Sequence, residues 1–250
     1  MKEITIIDSD LALAGFTSGN EGIWSRNEPL DPPTSDYTAL SERLVLPLSD
    51  FIRPYQAGGE KVEIVTSEQG GSGVIKDNEL KKVDGLVTAE KGIVLSIIAA
   101  DCVPVYLLDK KAEVVGLLHC GWKSAAGELI HNAVEQMKEL GAATSETQVI
   151  IGPHICAKCY EVGEEVHTEY AGVFASKELE SIFARRGGRL YLDLSTAIQI
   201  KLTTEGIPEK NISSVNECTC HDTAYYSYRR GDRGKQNLAY IMMKQHEKEV

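Results

Sequence analysis

Two side chains able to do chemistry stand one hairpin's length apart in the stretch ADCVPVYLLDKKAEVVGLLHCGW: the thiol of Cys102 and the imidazole of His119. A thiolate is a nucleophile and a soft metal ligand, while an imidazole serves as acid, base or ligand near neutral pH. Brought together, they can share one metal ion or pass one proton. What must bring them together is strand pairing. Ile93 to Ala99, VPVYLL and VVGLL are apolar, partly β-branched runs that read as buried strands, and Asp109 to Glu113 is polar enough to be a turn. Folding VPVYLL back on VVGLL sets Cys102, just ahead of the first strand, beside His119, just after the second.

The residues after His119 add an anion-friendly feature. Gly121 and Trp122 lead into an expected helix with Ser124 as N-cap and Gly141 as stop. Ala126, Leu129, Ile130, Ala133, Val134, Met137 and Leu140 recur at three- and four-residue steps and mark its buried face. His119 then lies ahead of a helix N-terminus, where free backbone N–H groups suit phosphate. Taken singly, a buried cysteine and a turn histidine are ordinary core and capping residues. Their enforced adjacency is what points to chemistry.

Composition narrows the function classes. A chain of 250 residues with 42% hydrophobic content can bury a sizeable core, and the expectation is a single domain over residues 1–250. The net charge of −11 argues against non-specific binding to nucleic acid or to an anionic membrane. No apolar run approaches the roughly 20 residues of a membrane span, and the charged opening MKEITIIDSD lacks a signal-peptide core, so a cytoplasmic location is expected. In that reducing setting the six cysteines read as thiols or metal ligands.

Strand-like and helix-like stretches alternate along the chain, which reads as α/β. EITII and LALAGFT are expected strands; a short helix from about Tyr37 ends before Pro47. Val62 to Thr66 is a strand, and the glycines at 70, 71 and 73 make a hairpin loop or, less in keeping with the absence of a Gly-Lys-Ser/Thr ending, a phosphate cradle. Val74 to Lys76, Val83 to Thr88, Gln148 to Gly152, Leu190 to Leu194 and Asn211 to Glu217 are further strands, and Ser195 caps a helix ending at Gly206. Cys156 and Cys159 have the spacing of one half of a structural zinc site, which needs a second half; the candidate is Cys218-Thr-Cys220-His221, whose Cys-x-Cys step is tighter than usual and speaks against it. Tyr228, Arg229 and Arg230 sit in the densest basic stretch, where rings and guanidinium groups suit a base and an anion.

The blocks ADCVPVYLLD, VVGLLHCGWKSAAGELI, IGPHICAKCYEVGEEV and CTCHDTAYYSYRRGDRGKQNLAYI, in that order between Asp84 and Ile241, resemble the YfiH family, also called the laccase-domain or polyphenol oxidoreductase family. The resemblance implies a mixed-sheet α/β sandwich flanked by helices. It implies a purine nucleoside phosphorylase acting on adenosine, inosine, guanosine or 5′-methylthioadenosine, with zinc-dependent adenosine deaminase activity. Its partners would be the nucleoside and phosphate, and its state a monomer or small homo-oligomer. The resemblance also implies a zinc ion on two histidines and one cysteine. Cys102 and His119 match two of these; Gly71 stands where the other histidine is expected, and Gly19 where an arginine is. His154 is the candidate for a relocated third ligand. Zn2+ activates water by lowering its pKa to about 7. Copper fits poorly, because multicopper centres need more histidines than the six present. Two alternatives stay open: a Cys-His hydrolase or deamidase using Cys102 and His119, and a degenerate nucleoside-binding module.

Overall fold

The structure is a computed structural model that describes residues 3–17 and 35–245; Gly19 lies outside them. The chain opens with β1 (Glu3–Asp8), β2 (Ala12–Thr17) and α1 (Ser35–Leu44). Then come β3 (Phe51–Ile52), β4 (Val62–Ile64), β5 (Gly85–Thr88), β6 (Val94–Ala99), β7 (Val103–Asp109) and β8 (Val114–Cys120), followed by α2 (Trp122–Ala126) and α3 (Leu129–Glu139). The remainder holds β9 (Gln148–Ile151), β10 (Glu161–Val162), α4 (Glu164–Ala171), α5 (Ser176–Ile182), β11 (Phe183–Arg186) and β12 (Arg189–Leu192). It ends with α6 (Leu194–Thr204), β13 (Ile212–Ser214) and β14 (Asn237–Met243).

Two mixed sheets form the centre, a five-stranded one in the order β1-β2-β14-β6-β3 and a six-stranded one in the order β13-β9-β7-β8-β5-β4. A small antiparallel sheet, β10-β12-β11, lies apart from them. The apolar pattern explains the stacking. On β7, Val105 and Leu107 join a core with Leu129, Ile130 and Ala133 of α3 and Ala197 and Ile198 of α6. Tyr106 and Leu108 instead join Phe16, Leu95, Ile97, Ala239 and Ile241 of the other sheet. A strand buried on both faces reads as a continuous apolar run, as VPVYLL does. Tyr106 also ties the sheets, its hydroxyl donating to Gly15 O at 3.0 Å. The outer face of the five-stranded sheet is covered by Tyr37 and Leu40 of α1, packed on Val94, Ile98 and Leu238. The expected α/β sandwich is therefore what the sequence forms.

Three local expectations differ. The helix expected over 124–140 is broken: α2 is capped by Gly127, with Glu60's carboxylate filling the space a Cβ there would need. The stop at Gly141 holds, at φ +92° in the left-handed region that favours glycine. The helix expected from Ser195 begins at Leu194, capped by Asp193, whose carboxylate accepts from Thr196 N at 3.1 Å. Val74 to Lys76 is a turn, since the N–H groups of residues 74, 75 and 76 all donate to Gly71 O at 2.9–3.1 Å.

Candidate active site and a metal-ligand cluster

The β7–β8 hairpin pairs Val103 with Cys120 and Pro104 with His119, so Cys102 and His119 fall on one face as diagonal neighbours at the strand ends. That face is the one carrying Tyr106 and Leu117 toward the second sheet. The two side chains are close enough for the thiol to act on the imidazole's protonation and open together on a cavity of about 420 Å³ whose walls include Gln56, Ile98, Trp122, Lys123 and Ser124. The sandwich thus leaves its mouth open where thiol and imidazole meet.

A third member was not legible in the sequence. Asp84, fully buried ahead of β5, faces His119 because β5 pairs antiparallel with β8, Gly85 opposite Leu118. Its Oδ1 lies 2.9 Å from His119 Nδ1 and accepts from Gly58 N at 2.9 Å, while Oδ2 accepts from Ala57 N at 3.1 Å and Gly59 N at 2.8 Å. Burial opposes ionisation of Asp84, but His119 and these amides outweigh it and hold the carboxyl below its ordinary range. An ionised carboxylate only accepts, so His119 Nδ1 carries a proton and Nε2 is left for Cys102 or a ligand. Burial alone would depress the His119 pKa; Cys102 and Asp84 outweigh it and raise it to about 9. The one sequence clue to Asp84 is an acidic residue at the head of the apolar run GLV.

The carboxylate of Asp101, the residue before Cys102, accepts from Thr219 Oγ1 at 2.7 Å, Ser227 Oγ at 3.0 Å and Arg229 N at 2.7 Å. It binds the 219–229 loop to the head of β7. Cys102 also faces a second cavity of about 310 Å³, shared with Tyr160, Tyr228 and Arg229. The Arg229 guanidinium stacks 5.0 Å from the Tyr160 ring centre and donates to Glu161 O at 2.8 Å. Arg230 does not reach either cavity. Its Nη1 donates to Thr219 O at 2.9 Å, Cys220 O at 3.2 Å and Asp222 O at 3.2 Å, and its Nη2 to Tyr225 O and Asp232. Such a guanidinium is a structural clasp, with both terminal nitrogens committed to protein oxygens. Arg230→Ala is expected to cost about 2–4 kcal/mol of stability by leaving half-buried carbonyls unpaired, read from urea unfolding.

His154 lies in a further cavity with Cys156, Asp193, Cys218 and His221, its Nδ1 2.7 Å from Gly152 O. It is not brought to Cys102 and His119. In the same region Cys156, Cys159, Cys218 and His221 place one ligand atom each within 4.8 Å of one another, a set that could hold a metal ion. The second half comes from within Cys218-Thr-Cys220-His221, the stretch expected to supply it, but without Cys220. Cys218 pairs with His221, at the same two-residue gap as Cys156 and Cys159.

Fold and site together define a mixed α/β sandwich with a Cys-His-Asp line at the mouth between its sheets. The chain belongs to the family described as multi-copper polyphenol oxidoreductase laccase, which matches it over residues 15–244. It is 34% identical over 196 residues, 76% of this chain and 74% of the relative, to the adenosine deaminase RL5 of an unknown prokaryotic organism. It is 32% identical over 233 residues, 90% of this chain and 84% of the relative, to the purine nucleoside phosphorylase YlmD of Geobacillus stearothermophilus. Among solved structures, a Bacillus licheniformis hypothetical protein YfiH is similar at a TM-score of 0.83 and 25% identity, covering 96% of this chain and 99% of that one. The resemblance to YfiH-type proteins is thereby established. Among the described residues no helix is long and apolar enough to cross a membrane.

The zinc that the resemblance implies can be tested against these donors. Cys102 and His119 fit it, but among the described residues the one convergent set of three or more ligand groups is the Cys156, Cys159, Cys218 and His221 cluster. Gly71 is absent from the walls of the Cys102 cavity, and its φ of +82° belongs to a tight turn. A three-ligand zinc centre does not fit the described residues at Cys102 and His119. Gly71→His is expected to add no zinc there and to cost about 1–3 kcal/mol, since a Cβ would lie 2.9 Å from Ile75 Cγ1 in a left-handed backbone. Thermal denaturation with elemental analysis checks both.

Proposed function

We propose that the protein is a purine nucleoside phosphorylase working through His119, Cys102 and Asp84. The observation that carries this reading is one cavity shared by Cys102, His119, Lys123 and Ser124, in which the Ser124 hydroxyl is buried without a hydrogen-bond partner. Relatives named as purine nucleoside phosphorylases support it. In the reaction a phosphate oxygen bonds to C1′ of the ribose as the bond from C1′ to the purine nitrogen breaks. The electron pair leaves with the purine. His119, held protonated by Asp84 and Cys102, gives its Nε2 proton to a ring nitrogen of the departing base. Lys123 and the Ser124 hydroxyl hold the phosphate in line, and Arg229 with Tyr228 closes the far side of Cys102. The five-residue α2, with glycine at its N-cap and no side-chain cap, adds only a few amides to that anion site.

The decisive assay incubates adenosine, inosine, guanosine and 5′-methylthioadenosine with and without phosphate. Phosphate-dependent release of free base with ribose 1-phosphate, or its 5-methylthio analogue, is expected. Base release from none of the four would sink the reading, and ammonia release from adenosine alone would shift it to deamination, the activity named for one relative.

A second reading is favoured by the line itself, since Cys102, His119 and Asp84 stand in the order of a thiol nucleophile, its base and the base's orienting carboxylate. Inactivation by iodoacetamide at Cys102, blocked by a nucleoside amide-type substrate and insensitive to phosphate, distinguishes it.

A further inference from the structure

We propose that Cys156, Cys159, Cys218 and His221 form a structural zinc site, separate from the Cys102 and His119 centre, that staples together the two loops walling the second cavity. Their ligand atoms lie within 4.8 Å of one another. In a zinc tetrahedron with bonds near 2.3 Å to sulfur, the ligand atoms are about 3.8 Å apart. Small side-chain rotations therefore close the site. Cys159 Sγ is already 3.1 Å from His221 Nε2, and Cys156 Sγ is 3.7 Å from its Nδ1. One ring nitrogen ligates; the ring need only turn to present it.

The backbone is shaped for this before any ion arrives. Parallel pairing of β9 and β13 sets Ile151 beside Ser214, and the ladder continues as His154 N donates to Glu217 O and Thr219 N to His154 O. Two strand ends thus run side by side and deliver the two halves. Cys156 to Tyr160 forms a tight turn, with Cys159 N and Tyr160 N both donating to Cys156 O, which aims the first two thiols the same way. Cys156 N donates to Cys218 Sγ at 3.2 Å, which ties the two halves together through a ligand atom. Amide donation to a cysteine sulfur is the kind of outer contact that orients and stabilises a metal-bound thiolate. All four cysteines near the cluster are free thiols.

What the ion would hold in place is visible from the contacts around it. Arg229 grips the first half through Cys159 O and Glu161 O, and Arg230 grips the second through Thr219 O and Cys220 O. Both halves are tied to the residue before Cys102, since Asp101 O accepts from Ile155 N and its carboxylate from Thr219. The 216–235 segment contains no helix or strand of its own. A closed Cys3His site has no open position, so its role is to stabilise and not to react.

Untagged protein equilibrated with zinc and dialysed is expected to retain one zinc per chain by elemental analysis. The C102A/H119A double variant should keep it, whereas Cys159→Ser and His221→Ala should each lose it and Cys220→Ser should not. Cobalt in place of zinc in the intact chain should give tetrahedral bands with sulfur-to-metal charge transfer from three thiolates, a readout that needs no variant to fold. Chelation should lower Tm by roughly 5–10 °C. A metal-free wild type, zinc kept by Cys159→Ser and His221→Ala, or zinc lost only from the double variant overturns the proposal. So does a cobalt spectrum without thiolate charge transfer. None of these readouts involves nucleoside turnover, so failure here is separate from failure of the phosphorylase reading.

Discussion

Replacing His119 with alanine is expected to lower kcat/KM for nucleoside cleavage by about 10²–10⁴-fold, the usual worth of a positioned acid or base. The loss should fall on kcat. His119 lies at the end of β8 with its backbone N–H bonded to Asp84 O at 2.7 Å, a contact the substitution leaves in place. The half-buried ring lines an open cavity, so its removal enlarges a solvent-filled space and leaves the sandwich core intact. Cys102→Ala run alongside separates two roles for the thiol. If sulfur bonds to the substrate, the loss matches that of His119→Ala; if it only keeps the imidazole protonated, roughly 10-fold is lost at neutral pH and more as pH rises. Near-wild-type turnover in His119→Ala, with the protein folded, would remove the imidazole from the chemistry altogether.

How far the site could be read from the chain alone depends on how local its causes are. The β7–β8 hairpin was legible because an apolar run, a polar turn and a second apolar run are contiguous, and pairing them places Cys102 by His119 without further information. Asp84 was not. Its contact with His119 spans 35 residues and exists only because β5 takes the edge of β8 away from β7, a non-local choice that periodicity does not encode. The break at Gly127 was hidden for a related reason. The three- and four-residue apolar steps run straight through it, and its partner is Glu60 from another part of the chain. At the cysteine cluster both halves were legible as short contiguous stretches. Which of Cys218, Cys220 and His221 converge on Cys156 and Cys159 was not, because it depends on the path of the loop; Cys218 with His221 matches the spacing of Cys156 with Cys159. Likewise Arg229 and Arg230 are adjacent in sequence but part company in the structure, one at a cavity wall and the other among carbonyls.

The second large effect is expected from Asp84→Asn. An amide keeps an oxygen for the His119 Nδ1 proton, but its NH2 end then meets backbone donors, because the carboxylate accepts from the amides of Ala57, Gly58 and Gly59. Either the loop at 57–59 loses acceptors or the imidazole loses its fixed tautomer. In triads of this order the corresponding change lowers kcat by about 10⁴-fold with the geometry retained, and 10³–10⁴-fold is the expected loss here. The pH dependence gives a signature that mere loosening would not. His119 has its pKa raised to about 9 in the folded protein against an ordinary 6.5, so the stability it contributes is complete below 6.5 and is lost as pH rises through about 9. Without the negative charge of Asp84, burial regains weight against the imidazolium and the folded pKa falls. The alkaline loss of stability should therefore move to lower pH and shrink, and the alkaline limb of kcat/KM should move with it. Asp84→Asn protein titrated by NMR at the His119 ring, with unfolding followed from pH 6 to 10, measures both; an unchanged His119 pKa would mean that Asp84 anchors the 57–59 loop alone and leaves the proton on His119 to Cys102.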